Sequence, residues 1–194
     1  ADCTGHGVPG AFMSMIGSML LRDISANKEV NTPDAVLQRL DSELRNVLHY
    51  EGAEGRSNDG MDISVCEIDL HTRKLRAACA MHDLLVFRNG ELVRVKGERW
   101  RIGGVQRTDR PNSFGRSEHD LRPGDRFYLY SDGIPDQFGG PAGRKLKVSG
   151  LIDLLHGIAH LPMDEQRNHF RTRFLEWMQG YEQVDDVLFI GIEV

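Results

Sequence analysis

The sequence has few cysteines, no excess of basic residues and no long apolar run. Its three cysteines, Cys3, Cys66 and Cys79, leave one unpaired in any disulfide scheme, which favours a reduced protein of the cytoplasm. Lys and Arg number 24 against 29 Asp and Glu, and the formal net charge of -5 argues against nucleic acid as a partner. No apolar run reaches the roughly 18 residues of a membrane span, and no signal peptide is recognisable, so we expect a soluble chain.

The apolar pattern predicts helices and strands in one domain over residues 1–194. Helical spacing predicts helices at about 9–24, at about 33–48, from 151 and around 170–177, the first apolar on nearly all sides and therefore buried. Strand-like segments lie at about 61–70, 75–80, 84–88, 91–95, 126–131 and 187–194, and the last is apolar enough to be central in its sheet. Asn89-Gly90 predicts a hairpin, because both positions must accept positive φ. The fold class is therefore α+β with a largely antiparallel sheet.

Three aspartates stand where an apolar strand-like run meets a turn or loop. They are Asp2 in Asp-Cys-Thr-Gly-His-Gly, Asp132 in Ser-Asp-Gly, and Asp185 in Asp-Asp-Val. Carboxylates of this kind could converge at one edge of a sheet, and oxygen ligands suit Mg²⁺ or Mn²⁺ better than zinc. The pattern predicts metal-assisted phosphate chemistry.

Four blocks of sequence resemble the SpoIIE/RsbU-type branch of the bacterial metal-dependent protein serine/threonine phosphatases (the PPM family). In order along the chain they are DCTGHGVPGAFMS (2–14), GMDISVCEID (60–69), YLYSDGIPDQFGG (128–140) and DDVLFIGI (185–192). The resemblance implies an α-β-β-α sandwich. Family domains have further strands upstream, and this chain begins at Ala1 rather than Met, so we expect a domain that lacks its N-terminal strands.

The resemblance also implies a site. Asp2 would bridge two Mn²⁺ or Mg²⁺ ions, the backbone carbonyl of Cys3 would be a ligand, and Asp132 and Asp185 would complete the first metal. A metal-bound water would then attack the phosphoryl group directly. His6 is the candidate general acid, although the position that carries the histidine in eukaryotic relatives is here Thr4.

Two further acidic residues lie within the matching blocks. Asp186 follows Asp185 directly, and on an extended chain its side chain would point to the opposite face, so only Asp185 is expected to be a ligand. Asp62 is a weaker candidate, either near the site or a turn or strand-edge residue.

Partners also follow from the resemblance. The substrate would be a small phosphoprotein, an anti-sigma-factor antagonist of the STAS class carrying phosphoserine. A sensor region upstream in the same polypeptide, in some cases tethering the parent protein to a membrane, would control the site through the first two helices, and the first helix could pair with a second copy. The alternative is a catalytically silent domain with a regulatory or binding role.

Three other motifs point to different chemistry and lack the required context. Gly5-His6-Gly7-Val8-Pro9-Gly10 matches the dinucleotide fingerprint, but a second helix and antiparallel strands follow instead of a parallel βαβ unit. His156 and His160 have zinc-ligand spacing without the glutamate of a zinc protease. None of the cysteines is followed six residues later by the arginine of a cysteine phosphatase.

Overall fold

The fold was analysed from a computed structural model, which describes residues 1–48, 59–104 and 113–194. Along these ranges the elements are β1 (Asp2–Cys3), α1 (Gly7–Ala26), α2 (Pro33–Leu48), β2 (Met61–Asp69), β3 (Lys74–Ala80), β4 (Leu84–Arg88), β5 (Glu91–Val95), β6 (Ser117–Asp120), β7 (Arg126–Tyr130), β8 (Phe138–Gly139), β9 (Arg144–Lys145), α3 (Lys147–Ile158), α4 (Met163–Met178) and β10 (Phe189–Glu193). No helix in the described ranges combines the length and apolar character needed to cross a membrane.

The first of two compact units comprises Ala1–Asp83 and Lys96–Leu121. Its antiparallel sheet has the strand order β1-β2-β3-β6. Helix α2 fully buries Leu37, Leu40 and Leu44, which recur at helical spacing and pack into one core with Met61 and Ile63 of β2. This core supports the end of β2 that pairs with the short strand β1.

The second unit comprises Leu84–Val95 and Arg122–Val194. Its antiparallel sheet has the order β10-β7-β4-β5, and β8 and β9 form a separate small hairpin. The core of this unit joins residues of β4, β7, α3 and α4, among them Leu85, Tyr128, Leu151 and Phe170. Strand β7 is thus an inner strand, and the chain leaves it at Ser131.

Local signals predicted most elements correctly. Asn89 and Gly90 have φ values of 50° and 84° and connect the antiparallel strands β4 and β5, as the hairpin prediction requires. Helix α2 and strands β2 to β5 and β7 lie within a residue or so of the predicted bounds. The pairs in both sheets are antiparallel, which confirms the α+β class.

Two expectations about burial are wrong. Strand β10 lies at the edge of its sheet rather than in the centre, although it is strongly apolar. Helix α1 buries one face through Gly10, Met13, Gly17 and Ile24, but its opposite face is exposed. The exposed fractions there are 69% for Val8, 57% for Phe12 and Met15, and 58% for Met19. We call these four residues the α1 stripe.

Candidate metal centre

Asp132 lies two residues after the end of strand β7 and carries an unsatisfied buried oxygen. Its Oδ1 atom is shielded from solvent and accepts no hydrogen bond among the described residues. A buried acceptor without a donor is rare in proteins, because losing its hydrogen bonds to water costs free energy. A cation at this oxygen would remove that cost, so the Asp132 carboxylate fits the role of a metal ligand.

Ser131 fastens the turn that contains Asp132 to the loop that contains Asp185. Its Oγ donates a hydrogen bond to the carbonyl oxygen of Asp186 at 2.7 Å and accepts one from the backbone N–H of Leu188 at 2.9 Å. The backbone N–H of Ser131 donates to the Leu188 carbonyl at 3.0 Å. The two predicted ligands of this unit are therefore carried by backbone segments in direct contact.

Gly133 allows the close approach of these two segments. A Cβ atom at this position would lie 2.3 Å from the carbonyl oxygen of Asp186, which is closer than any side chain can tolerate. The glycine of the Ser-Asp-Gly turn is thus required by packing against the loop.

Asp185 lies in an irregular segment and is exposed, as is Asp186. The Oδ1 atom of Asp185 accepts a hydrogen bond from the backbone N–H of Asp186 at 2.7 Å. This local bond orients the Asp185 carboxylate and leaves its other oxygen for a further partner. The assignment of Asp185 rather than Asp186 as the ligand stays a prediction.

In the first unit, β1 positions Asp2 and Cys3 by pairing with β2. Asp2 is opposite Asp62 and Cys3 is opposite Met61 in the antiparallel register. Thr4 secures the end of β1, because its backbone N–H donates to the Gly60 carbonyl at 2.9 Å and its Oγ1 accepts from the Gly60 N–H at 2.9 Å. The two-residue strand is therefore anchored on its C-terminal side.

Asp62 has a protein partner. Arg101 Nε and Nη2 donate to its two carboxylate oxygens at 2.6 and 2.9 Å, and Asp62 itself is only 8% exposed. This bidentate geometry is the strongest form of an arginine–carboxylate pair. Asp62 is thus a buried ion-pair residue beside Asp2, and nothing in the sequence around Arg101 indicates this contact.

His6 lies at the N-cap of α1 in an extended conformation, and its side chain makes no capping hydrogen bond. It is exposed and flanked by Gly5 and Gly7, whose φ values are 85° and 66°. A Cβ atom on Gly10 would lie 2.6 Å from the Gly5 carbonyl oxygen, so the glycines shape a tight turn into the helix. The match to the dinucleotide fingerprint follows from this packing.

The predicted ligands are divided between the two units, with Asp2, Cys3 and His6 in the first and Asp132 and Asp185 in the second. Within the described part of each unit, no three His, Cys, Asp or Glu side chains form a group that could hold a metal ion. Convergence of the two sets of ligands stays a prediction.

The histidine and cysteine motifs, which lack the required sequence context, also fail to form sites in the structure. Helix α3 ends at Ile158, so His160 does not share a helical face with His156, and the His156 ring packs against Phe87 with centroids 5.7 Å apart. Burial raises the pKa of the Cys66 thiol to about 12 and that of the Cys79 thiol to about 11. Neither thiol is a nucleophile at neutral pH, since the thiolate is the reactive form.

Solved structures resemble this chain over its whole length. The PP2C domain of SiaA from Pseudomonas aeruginosa is 29% identical, with a TM-score of 0.86, and the match covers 100% of this chain and 73% of that one. The PP2C phosphatase domain of SpoIIE from Bacillus subtilis, solved with a fragment of its regulatory domain, is 16% identical, with a TM-score of 0.71; the match covers 100% of this chain and 52% of that one.

A third match is the catalytic domain of the serine/threonine phosphatase PstP, in complex with two manganese ions. It is 15% identical, with a TM-score of 0.62, and the match covers 98% of this chain and 83% of that one. No curated protein gives a significant match.

Fold and relatives together define a protein phosphatase domain of the PP2C class. The family model described as Stage II sporulation protein E (SpoIIE) matches residues 1–194, and the chain belongs to this family. The resemblance of the four sequence blocks and the predicted PPM fold are thereby confirmed.

Proposed function

We propose that the protein is a Mn²⁺- or Mg²⁺-dependent phosphatase that hydrolyses phosphoserine on a small regulatory protein. The observation that carries this proposal is the buried Oδ1 of Asp132, which lacks a hydrogen-bond donor among the described residues. The turn that holds it is bonded through Ser131 to the loop that holds Asp185. Family membership supports the same chemistry.

Four groups are proposed as ligands of two divalent ions. Asp132 and Asp185 would bind from the second unit, and the Asp2 carboxylate and Cys3 carbonyl from the first. All four donors are oxygen atoms, which hard cations such as Mg²⁺ and Mn²⁺ prefer. The two manganese ions in PstP, a phosphatase of the same fold, support this assignment.

The ions would supply an activated water and neutralise charge on the phosphoryl oxygens. Hydrolysis then forms a bond between the water oxygen and phosphorus, breaks the ester bond to the serine oxygen, and yields serine and inorganic phosphate. The exposed His6 imidazole is proposed to donate the proton that the leaving serine oxygen requires. In this proposal the buried Ser131 holds together the segments that carry Asp132 and Asp185, and the exposed His6 protonates the leaving serine oxygen.

The proposed substrate is a phosphorylated STAS-type antagonist of an anti-sigma factor, and the proposed location of the reaction is the cytoplasm. A sensor region of the same polypeptide is the proposed regulator, and the SpoIIE structure that includes part of a regulatory domain supports this. The α1 stripe offers apolar surface for such contacts or for a second copy of the chain, because exposed apolar patches commonly mark interaction sites.

The test is hydrolysis of p-nitrophenyl phosphate and of a phosphoserine peptide during titration with Mn²⁺. We expect metal-dependent turnover that Asp132→Asn lowers by at least about 100-fold, as is typical when a group that stabilises transition-state charge is lost. Asp153→Asn is the matched control, since Asp153 is an exposed carboxylate on α3 of the same unit.

Absence of turnover in folded protein at every Mn²⁺ concentration would contradict the proposal. The second candidate function, a catalytically silent regulatory domain, would then stand. The exposed α1 stripe is the observation that favours it.

A further inference from the structure

Gln137 is a fully buried polar residue that follows Asp132 by five positions. Its exposed fraction is 0%. The side-chain Nε2 donates to the carbonyl oxygen of Glu182 at 2.9 Å and to that of Phe138 at 3.0 Å, while Oε1 accepts from the backbone N–H of Val184 at 3.4 Å. Both ends of the amide are therefore satisfied, and two of the three bonds go to the segment just before Asp185.

The backbone around Gln137 is firmly connected to Asp132. The Asp136 N–H donates to the Asp132 carbonyl at 2.9 Å, and the Gln137 N–H donates to the Ile134 carbonyl at 3.3 Å. The Gln137 carbonyl accepts from the Leu146 N–H at 2.9 Å. Gln137 is thus the far end of a hydrogen-bonded turn that starts at the predicted metal ligand.

The Asp185 loop, residues 181–188, has neither helix nor strand and is exposed throughout. Backbone of this kind loses conformational entropy when it is held in one conformation, so bonds to the rest of the fold are needed to hold it. Among the described residues, two side chains from outside the loop bond to its backbone, while Gln183 within the loop donates to the Asp185 carbonyl at 2.8 Å. Gln137 bonds the loop at 182 and 184, Ser131 bonds it at 186 and 188, and Asp185 lies between these points.

We infer that Gln137 is a positioning residue for the Asp185 carboxylate. Its hydrogen bonds fix the N-terminal half of the Asp185 loop to the turn that contains Asp132. The carboxylates of Asp132 and Asp185 therefore keep a constant position relative to each other. This inference rests on the proposed function for its metal-dependent part. Loss of groups that orient a metal ligand typically weakens metal binding 10- to 100-fold.

The test uses Gln137→Met, which keeps the length of the side chain and removes its hydrogen bonds. Gln166→Met is the matched control. Gln166 is 2% exposed, lies in the same unit, donates from Nε2 to the Leu161 carbonyl at 2.8 Å and accepts from the Tyr128 hydroxyl at 2.8 Å. Both variants lose buried amide hydrogen bonds, but of the two side chains it is Gln137 that hydrogen-bonds to the Asp185 loop.

Two measurements are made on each variant. The first is the Mn²⁺ dissociation constant from calorimetry, together with kcat at saturating Mn²⁺. We expect Gln137→Met to weaken Mn²⁺ binding about tenfold with kcat largely recovered at saturation. Gln166→Met should leave the Mn²⁺ dissociation constant within about twofold of the wild-type value. The hydrogen bonds of Gln166 go to Leu161 and Tyr128, which do not orient a proposed metal ligand.

The second measurement is amide hydrogen exchange without metal, which reports local opening. Gln137→Met should accelerate exchange at Val184 at least about tenfold over Gln166→Met, because local opening is easier without that bond. Equal exchange and equal Mn²⁺ binding in the two variants would overturn the inference. If wild type binds no Mn²⁺, the proposed function fails, while the exchange at Val184 still decides whether Gln137 holds the loop.

Discussion

Asp2 and Asp62 lie directly opposite each other across the antiparallel strands β1 and β2. Like charges at such positions repel, and the side chains of directly opposed residues lie on the same face of the sheet. The two-pronged contact from Arg101 neutralises Asp62. Arg101 therefore relieves the repulsion at the position that the proposed bridging ligand occupies.

Replacing Arg101 by Gln is expected to destabilise the protein by about 2 kcal/mol. The variant leaves the buried Asp62 carboxylate without its charged partner, and breaking such pairs costs several kcal/mol when both partners are fully buried. The smaller value reflects the Arg101 side chain, which is 29% exposed and thus partly screened by water. Urea unfolding measures the change.

The double variant Asp62→Asn/Arg101→Gln checks the cause of that loss. Removing both charges should restore most of the free energy of unfolding, because no carboxylate is then left unpaired beside Asp2. A double variant as unstable as Arg101→Gln alone would mean that Arg101 acts through contacts other than the one with Asp62.

Ser131→Ala removes the hydroxyl that joins the Asp132 turn to the Asp185 loop. The Leu188 N–H and the Asp186 carbonyl both lose a partner, and we expect a loss of about 1–2 kcal/mol in the free energy of unfolding. Mn²⁺ binding should weaken about tenfold, as for other groups that orient a ligand. Ser117→Ala is the control, since the hydroxyl of Ser117 lies in the first unit and donates to the Ala77 carbonyl at 3.3 Å. Equal effects of the two substitutions on Mn²⁺ binding would argue against a role for Ser131 at the metal centre.

Asp132→Asn should separate stability from metal binding. Without metal, we expect a melting temperature equal to or above that of wild type, because the substitution removes a carboxylate whose buried oxygen has no donor among the described residues. Mn²⁺ at 100 times its dissociation constant stabilises a protein by about 2.7 kcal/mol, and the variant should lose this gain. Calorimetric melting with and without Mn²⁺ measures both effects. A variant that is clearly less stable without metal would show that Asp132 holds the fold rather than a cation.

Asp125 is expected to make the free energy of unfolding decrease at acidic pH. Burial raises the pKa of this carboxyl, but hydrogen bonds from Arg88 and from the backbone N–H of Arg122 outweigh burial and leave the pKa below its usual value. The folded state therefore binds protons less readily than the unfolded state. The stabilisation is complete above the unfolded pKa of about 3.9 and is lost as pH falls through the lower folded value.

The corresponding measurement is the urea midpoint between neutral pH and about pH 2, spanning the ordinary carboxyl range. Asp125→Asn should be less stable than wild type at neutral pH and should lose less stability on acidification. Parallel curves for the variant and wild type would rule out Asp125 as a source of the acid sensitivity.

Contacts close in sequence were predictable, and those far apart were not. The hairpin at Asn89-Gly90 follows from the backbone preferences of two adjacent residues. The Asp62–Arg101 pair joins positions 39 apart, and no local pattern indicates which arginine meets which aspartate. The same holds for Gln137, whose partners Glu182 and Val184 lie 45 and 47 positions away.

The errors about burial have a common physical cause. Apolar character predicts that β10 and α1 prefer contact with other apolar groups, but it does not specify which neighbours exist. Strand β10 lies at a sheet edge, and α1 exposes one face despite its composition. The alternation argument that separated Asp185 from Asp186 assumes an extended strand, and the structure has an irregular loop there.

The α1 stripe also affects how the protein behaves in a test tube. This stripe is a continuous exposed apolar surface along one side of a helix. The net charge of -5 adds only modest electrostatic repulsion between protein molecules. Plastic surfaces, detergent micelles and hydrophobic resins should all bind the protein through the α1 stripe. Phe12→Gln and Met15→Gln should raise the solubility of the protein at high concentration and leave the proposed ligands Asp2, Asp132 and Asp185 unchanged.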